Sequence, residues 1–252
     1  MLRAQKIYAE SISGDVHLEN QRLTEARSVL VVVLFDLEGT LVQTIEDDEE
    51  AIKEFRTRTR EKLLQLGIPR RELEGSTTSA PMRNRALEYV RQNFSGEEAK
   101  RFHTEMDRFQ KAFELSWAEN SEIFPDTLPA LRELKSLGHR MGVVTNTSRE
   151  AAARELSMHG IDAFFEVVIT REDMKLLKPD PEGLLLALRK LNVEDFLFVG
   201  DLAHDSQAAG RAGGTSIIVK RKPSNKPEFQ ADHVVKSLRE IPTLIRRLAD
   251  RP

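Results

Sequence analysis

The residues of this chain best placed for chemistry fall in four short clusters. Asp36-Leu37-Glu38-Gly39-Thr40 follows the apolar run Val29 to Phe35, and Thr145-Asn146 follows Met141 to Val144. Lys178-Pro179-Asp180-Pro181 occupies a polar stretch, and Gly200-Asp201 with Asp205 follows Phe196 to Val199. Continuous Val/Leu/Phe runs read as strands buried on both faces of a parallel sheet. Side chains set where such strands end project into the crevice where open α/β sheets bind ligands. Asp36 could attack an electrophile or hold a cation, Glu38 could move protons, and Gly39 lets the backbone turn and approach a ligand. Carboxylates, a hydroxyl, an amide and one lysine together suit a divalent cation plus an anion. Hard oxygens with no His or Cys ligand favour magnesium, with Asp36 and Asp201 as its holders. The metal would neutralise a phosphate and keep Asp36 ionised, while Thr145 and Lys178 would hold the non-bridging oxygens.

Each cluster also has an ordinary structural use. Asp36 can end a strand in a polar turn, Thr145-Asn146 can lead into a helix with Thr147 as its N-cap, and Asp205 can cap the helix that follows it. Lys178 alone reads as a solvated loop lysine. The value of each residue comes from its place in the set.

The elements that must position them alternate. After Thr40, residues 41–45 are too few for an element of any size. Three helical patterns follow, over 46–66, 81–94 and 95–119, the last opened by the capping-box signature Ser95-Gly96-Glu97-Glu98. Residues 46–122 carry no strong strand signal and are expected to form a small helical bundle inserted in the chain. From Phe124 onward, helices and strands alternate: a helix ending at Gly138, a strand at 141–144, a helix from the capping signature Thr147-Ser148-Arg149-Glu150, a strand at 167–170, a helix through Leu184, Leu188 and Leu191, strands at 196–199, 216–219 and 233–235, and a closing helix at 241–248. Alternation of this kind predicts right-handed crossovers and a parallel sheet. Residues 1–28 are mixed and polar, with a turn at Gly14-Asp15, and have no assigned role; 220–227 reads as a Pro/Lys-rich loop.

Bulk composition narrows the function classes. The 252 residues are 40% hydrophobic and 31% charged, which suits a globular protein with a substantial core. A net charge of -3 gives no support for nucleic acid or an anionic membrane as principal partner. The absence of cysteine excludes disulfides, thiolate chemistry and Cys-ligated zinc. No apolar segment is long enough to span a bilayer, and a cytoplasmic location is expected.

The order and spacing of the clusters resemble the haloacid dehalogenase superfamily of phosphohydrolases. Asp36-Leu37-Glu38-Gly39-Thr40 matches its first motif, usually Asp-x-Asp-Gly-Thr; Thr145, Lys178 and Gly200-Asp201 through Asp205 match the other three. Phe124-Pro125-Asp126, Lys178-Pro179 and Ala208-Ala209-Gly210 are similar to the phosphoglycolate-phosphatase-like branch, and the helical insert lies where that branch carries its C1 cap. The resemblance implies an α/β, Rossmann-like core over 1–45 plus 123–252 and an all-helical cap over 46–122. It implies that Asp36 forms an aspartyl-phosphate and that Glu38 protonates the leaving group, then activates water. It further implies that the Glu38 backbone carbonyl and Asp201 ligate Mg2+, with Asp205 acting indirectly or through water, and that Gly39, Thr145, Asn146 and Lys178 bind the phosphoryl group. The implied partner is a small phosphorylated metabolite; the oligomeric state stays open.

Glu38 departs from the majority Asp. Its extra methylene moves the carboxylate by roughly 1.5 Å. Enolase-phosphatases carry the same Asp-x-Glu-Gly-Thr pattern, whereas dehalogenases and phosphonatases have a non-acidic residue there. Two other outcomes fit the motifs: a phosphomutase or phosphotransferase, and a phosphate-binding homologue with poor turnover. Among insert residues, Arg56, Arg58, Arg60, Arg83, Arg85 and Arg91 offer charge for a second anionic group, although most belong on solvated faces. Trp117 is expected in the core of the insert, His204 in an exposed loop, and the loop 75–80 facing the site.

Overall fold

The computed structural model describes residues 30–43, 49–76, 78–221 and 230–249. The first turn, most of the Lys/Pro-rich loop and the N-terminal segment anticipated from sequence lie outside them. Six strands form one fully parallel sheet. They are β1 (Val32–Phe35), β4 (Arg140–Val144), β5 (Val167–Ile169), β6 (Phe196–Gly200), β7 (Thr215–Val219) and β8 (His233–Val235), in the order β5-β4-β1-β6-β7-β8. Because successive side chains of a strand face opposite ways, each strand feeds two cores. Val33 and Phe35 pack with Met141, Val143, Val199 and Ile217 on one face, while Val32 and Leu34 pack with Val144, Phe196 and Phe198 on the other. The first face is covered by α4 (Thr127–Ser136), α5 (Arg149–Met158) and α8 (Ile241–Ala249), and the second by α6 (Glu182–Leu191) and α7 (Ala203–Arg211). Strands covered on both sides must be apolar throughout, which is why they stand out in the sequence.

Two short strands escaped the sequence reading. Val42–Gln43 forms a short strand, β2, which pairs antiparallel with β3 (Glu122–Ile123). This ribbon is the double passage between the sheet and the insert. Two-residue strands carry no detectable period, so composition gave no sign of them.

Between β2 and β3 run α1 (Glu49–Gln65), α2 (Ser79–Asn93) and α3 (Gly96–Ala118). They enclose a core of their own that includes Leu63, Leu73, Met82, Val90, Phe102 and Met106. The expected capping box forms at α3: Ser95 Oγ accepts from the Glu98 amide, and the Glu98 carboxylate accepts from the Ser95 amide. The one expected at α5 does not. Ser148, not Thr147, is its N-cap and makes no side-chain cap bond; the Ser148 amide donates to Glu114 of α3 instead.

Asp126 ties the outer layer together. Its carboxylate accepts from the Ser237 hydroxyl, the Leu238 amide and the Arg221 guanidinium at 2.7–2.8 Å. Arg221 also lies over the Phe124 ring and donates to the Thr40 carbonyl. Burial opposes ionisation of Asp126, but these donors outweigh it and hold the carboxyl below its ordinary range. A depressed pKa gives stability that is present above the unfolded value and is lost as pH falls through the folded one. Asp126→Asn should therefore cost about 1–3 kcal/mol at neutral pH. In urea titrations its deficit against the parent should shrink as pH is lowered through the acid range; a deficit independent of pH would contradict this.

Candidate active site

The carboxyl ends of β1, β4 and β6 open on one edge of the sheet, and the anticipated residues meet there. Asp36 directly follows β1 and is buried. Thr145, buried, follows β4; Asp201 follows β6, and Asp205 sits in the first turn of α7. Lys178 arrives from the loop before α6 and is 1% exposed. Its ammonium lies 2.6 Å from Asp36 Oδ1 and 2.8 Å from Asp205 Oδ1, so it is no solvated lysine. Asn146 fixes the Lys178 backbone from both sides, accepting from its amide at 2.9 Å and donating to its carbonyl at 3.3 Å. Sequence reading gave Asn146 to the substrate; the structure commits its amide to holding the lysine.

Two glycines permit this crowding. Gly39 has φ +75°, and a Cβ there would lie 2.5 Å from Asp201 Oδ2. A Cβ on Gly200 would lie 2.4 Å from that of Asp205. Asp205 therefore folds back beneath the end of β6, where Oδ2 accepts from the Asp201 and Leu202 amides and Oδ1 remains for Lys178. Its capping role and its place in the site are both real, served by different oxygens. Thr40 Oγ1 donates to Asp201 at 3.3 Å.

Burial raises the pKa of Asp36 to about 8; Lys178 opposes the rise, and the negative charges of Asp205 and Glu38 add to it. Burial alone would lower the Lys178 pKa, but Asp205 and Asp36 reverse this and hold its proton firmly. Asp205 stays below its ordinary range: burial is outweighed by Lys178, His204 and the Leu202 amide. Glu38 is raised by burial despite hydrogen bonds from Thr147 and Thr145, the Thr145 hydroxyl donating to its Oε2 at 2.8 Å. Among the described residues the Lys178 ammonium contacts Asp36 and Asp205, while Glu38 lies close enough to raise the Asp36 pKa and Asp201 accepts from Thr40 at the same edge. A buried carboxyl left so reluctant to ionise beside a lysine marks a deficit of positive charge, and the oxygen donors suit a hard divalent ion.

His204 corrects the sequence reading. It lies in the first turn of α7 with its side chain 18% exposed, and its Nε2 is 3.4 Å from Asp205 Oδ1. One ligand atom each from Asp36, His204 and Asp205 lie within 4.8 Å of one another. Burial lowers the His204 pKa, leaving a neutral imidazole among oxygen donors.

Above the carboxylates lies a cavity of about 140 Å³, shared by core and insert. Asp36, Glu38 and Thr145 form its floor; Phe55, Arg56, Gln110 and Trp117 stand opposite. Thr78, just before α2, and Ser79 and Ala80 of its first turn also line it; the sequence reading places them in a loop facing the site. Trp117 packs edge-on against Phe55, with ring centroids 4.8 Å apart, and lines the cavity as well. Of the other basic candidates, Arg83 is buried against Asp107, and Arg60 and Arg85 donate to backbone carbonyls of the insert. Sequence reasoning missed Glu114 and Arg171. Glu114 accepts from the Arg171 guanidinium and, at 3.1 Å, from the Ser148 amide. The Asn84 side chain exchanges two hydrogen bonds with the Leu177 backbone, at 2.7 and 2.9 Å. These contacts fasten the insert to the sheet. The available signal was a buried stripe on α3, Phe102, Met106, Gln110, Glu114 and Ala118, that turns polar midway.

The sequence profile of the haloacid dehalogenase-like hydrolases matches residues 30–213, and the chain belongs to that family of enzymes. Pyrophosphatase PpaX of Listeria monocytogenes is 27% identical over 224 residues, spanning 86% of this chain and 97% of its own. A candidate PpaX of Caldanaerobacter subterraneus is 32% identical over 193 residues, 76% of this chain and 82% of its own. Among solved structures, a haloacid dehalogenase-like hydrolase of Bacteroides fragilis aligns with TM-score 0.59 at 26% identity, covering 84% of this chain and 99% of that one. Among the described residues, no helix is long and apolar enough to cross a membrane.

Arg171→Met should destabilise the fold by about 3–5 kcal/mol, because it strands the Glu114 carboxylate in the interior. Adding Glu114→Leu should recover much of the loss in chemical denaturation; an additive double variant would show that the two charges are not coupled.

Proposed function

We propose that the chain is a magnesium-dependent phosphomonoesterase working through an aspartyl-phosphate on Asp36. The observation that carries this reading is the buried Lys178 ammonium held between Asp36 and Asp205. It fixes one carboxylate oxygen of Asp36 and supplies positive charge where a phosphoryl group would sit. The PpaX relatives, named as pyrophosphatases, support phosphoryl hydrolysis as the class of reaction.

Asp36 attacks phosphorus, and the bond from phosphorus to the leaving oxygen breaks. Glu38, whose raised pKa keeps a proton available, gives that proton to the leaving oxygen. The resulting Glu38 carboxylate then takes a proton from water, which attacks phosphorus; the Asp36–phosphorus bond breaks and the carboxylate returns. Thr145 donates its hydroxyl proton to Glu38 Oε2 and so holds that carboxyl in place. Lys178 balances the charge of the transferring oxygens. Asp36, Asp201, Asp205 and the Glu38 carbonyl would hold Mg2+, which when bound supplies positive charge among these carboxylates and favours the ionised form of Asp36. The helical insert closes the site from water as a cap.

Asp36→Asn should reduce hydrolysis of p-nitrophenyl phosphate by at least about a thousandfold with the fold intact by circular dichroism. Turnover near the parent rate would end the nucleophile assignment. EDTA should abolish turnover and added Mg2+ restore it; activity insensitive to EDTA would remove the metal from this reading.

A further inference from the structure

Gln110 brings a buried, unpaired acceptor to the cavity. It is 3% exposed on α3, and its carbonyl Oε1 is buried with no hydrogen-bond partner among the described residues. Buried acceptors left unpaired are uncommon in folded proteins and often await a ligand or water. Gln110, Glu114 and Trp117 follow one another at i, i+4 and i+7, so all three face the core from the same side of the helix. Glu114 is already engaged by Arg171 and Ser148, and Trp117 by Phe55. Gln110 remains to meet whatever occupies the space above Asp36.

The surroundings say what that occupant is. An anionic leaving group would face an acceptor oxygen and the Glu38 carboxyl. A cationic one would face Arg56, which lines the same wall. A neutral hydrogen-bond donor suits both. Apolar side chains line it too, Ile52, Phe55 and Trp117 from the insert and Leu177 and Leu202 from the core. The polar Thr78, Ser79, Asn146, Thr147 and His204 stand beside them. Cavities of about 150 Å³ accept a molecule the size of benzene, so the volume here fits a phosphoryl group and a few carbon atoms.

Building on the phosphatase reading, we infer that the substrate is the phosphomonoester of a small, uncharged alcohol bearing at least one further hydroxyl. That hydroxyl donates to Gln110 Oε1, while its carbon skeleton lies against Phe55 and Trp117. Gln110 is a specificity residue: it distinguishes substrates and takes no part in the bond-making steps.

The test compares kcat/KM for glycerol 3-phosphate and propyl phosphate, which differ in the free hydroxyls, and sets both beside pyrophosphate and 2-phosphoglycolate. The parent protein should prefer glycerol 3-phosphate over propyl phosphate by about tenfold or more, the worth of one neutral hydrogen bond. Gln110→Leu should collapse that ratio toward one. Gln110→Met, which keeps the length of the side chain, gives the same reading should the leucine variant lose its fold. A parent without hydroxyl preference, a ratio that survives both substitutions, or a preference for pyrophosphate or phosphoglycolate would overturn the inference. Such results would leave the phosphatase reading standing provided Asp36→Asn is inactive; hydrolysis by Asp36→Asn would defeat that reading instead.

Discussion

The constraint on which the site depends is the accumulation of carboxylates at one buried edge of the sheet. Taken out of water together, Asp36 and Asp205 repel each other, and it is Asp36 whose ionisation burial and that repulsion oppose. Lys178 answers by placing one ammonium within 2.8 Å of both. Every local feature around it serves that placement. Asn146 grips the lysine backbone, Gly200 lets Asp205 fold beneath the strand end, and Gly39 lets Asp201 approach the first loop. Burial raises the Asp36 pKa to about 8 even with Lys178 opposing the rise, and Asp205 and Glu38 add to it. Oxygen donors gathered this way have the chemistry that would suit a divalent cation with a phosphate.

A second constraint concerns how the insert sits. It has an independent hydrophobic core, yet its inner face is not left to apolar packing alone. Glu114 reaches from α3 to Arg171 and to the first amide of α5, and Asn84 reads the backbone just before Lys178. Bonds of this kind are directional, so they set the register of insert against sheet as well as their separation. The same face delivers Gln110 and Trp117 to the cavity, which links the position of the insert to what the floor of the site can admit.

Much of this was legible in the sequence for physical reasons. Strands covered on both faces must be apolar without interruption, and each polar cluster directly follows such a run, so the sheet edge and its residues could be read together. The capping box at Ser95 was legible because its two partners are neighbours in the chain. The one inferred at Thr147 does not form: the Thr147 amide, which Glu150 would have to engage, donates to Thr145 Oγ1 instead. The ribbon of β2 and β3 was too short to show a period. His204 was misjudged because exposure depends on what packs over the first turn of α7, which local sequence does not encode. Glu114 and Arg171 are 57 residues apart, and only the folded chain pairs them.

The central claim is that Asp36 carries the phosphoryl group and Glu38 moves the protons. With an aryl phosphate, whose leaving group needs little protonation, Glu38→Gln should permit the first step and slow the second. The Glu38→Gln protein, quenched in acid during turnover and analysed by peptide mass spectrometry, should carry one phosphoryl group on the peptide containing Asp36. A phosphoryl group on any other residue, or an unmodified protein despite a burst of aryl alcohol, would contradict the account.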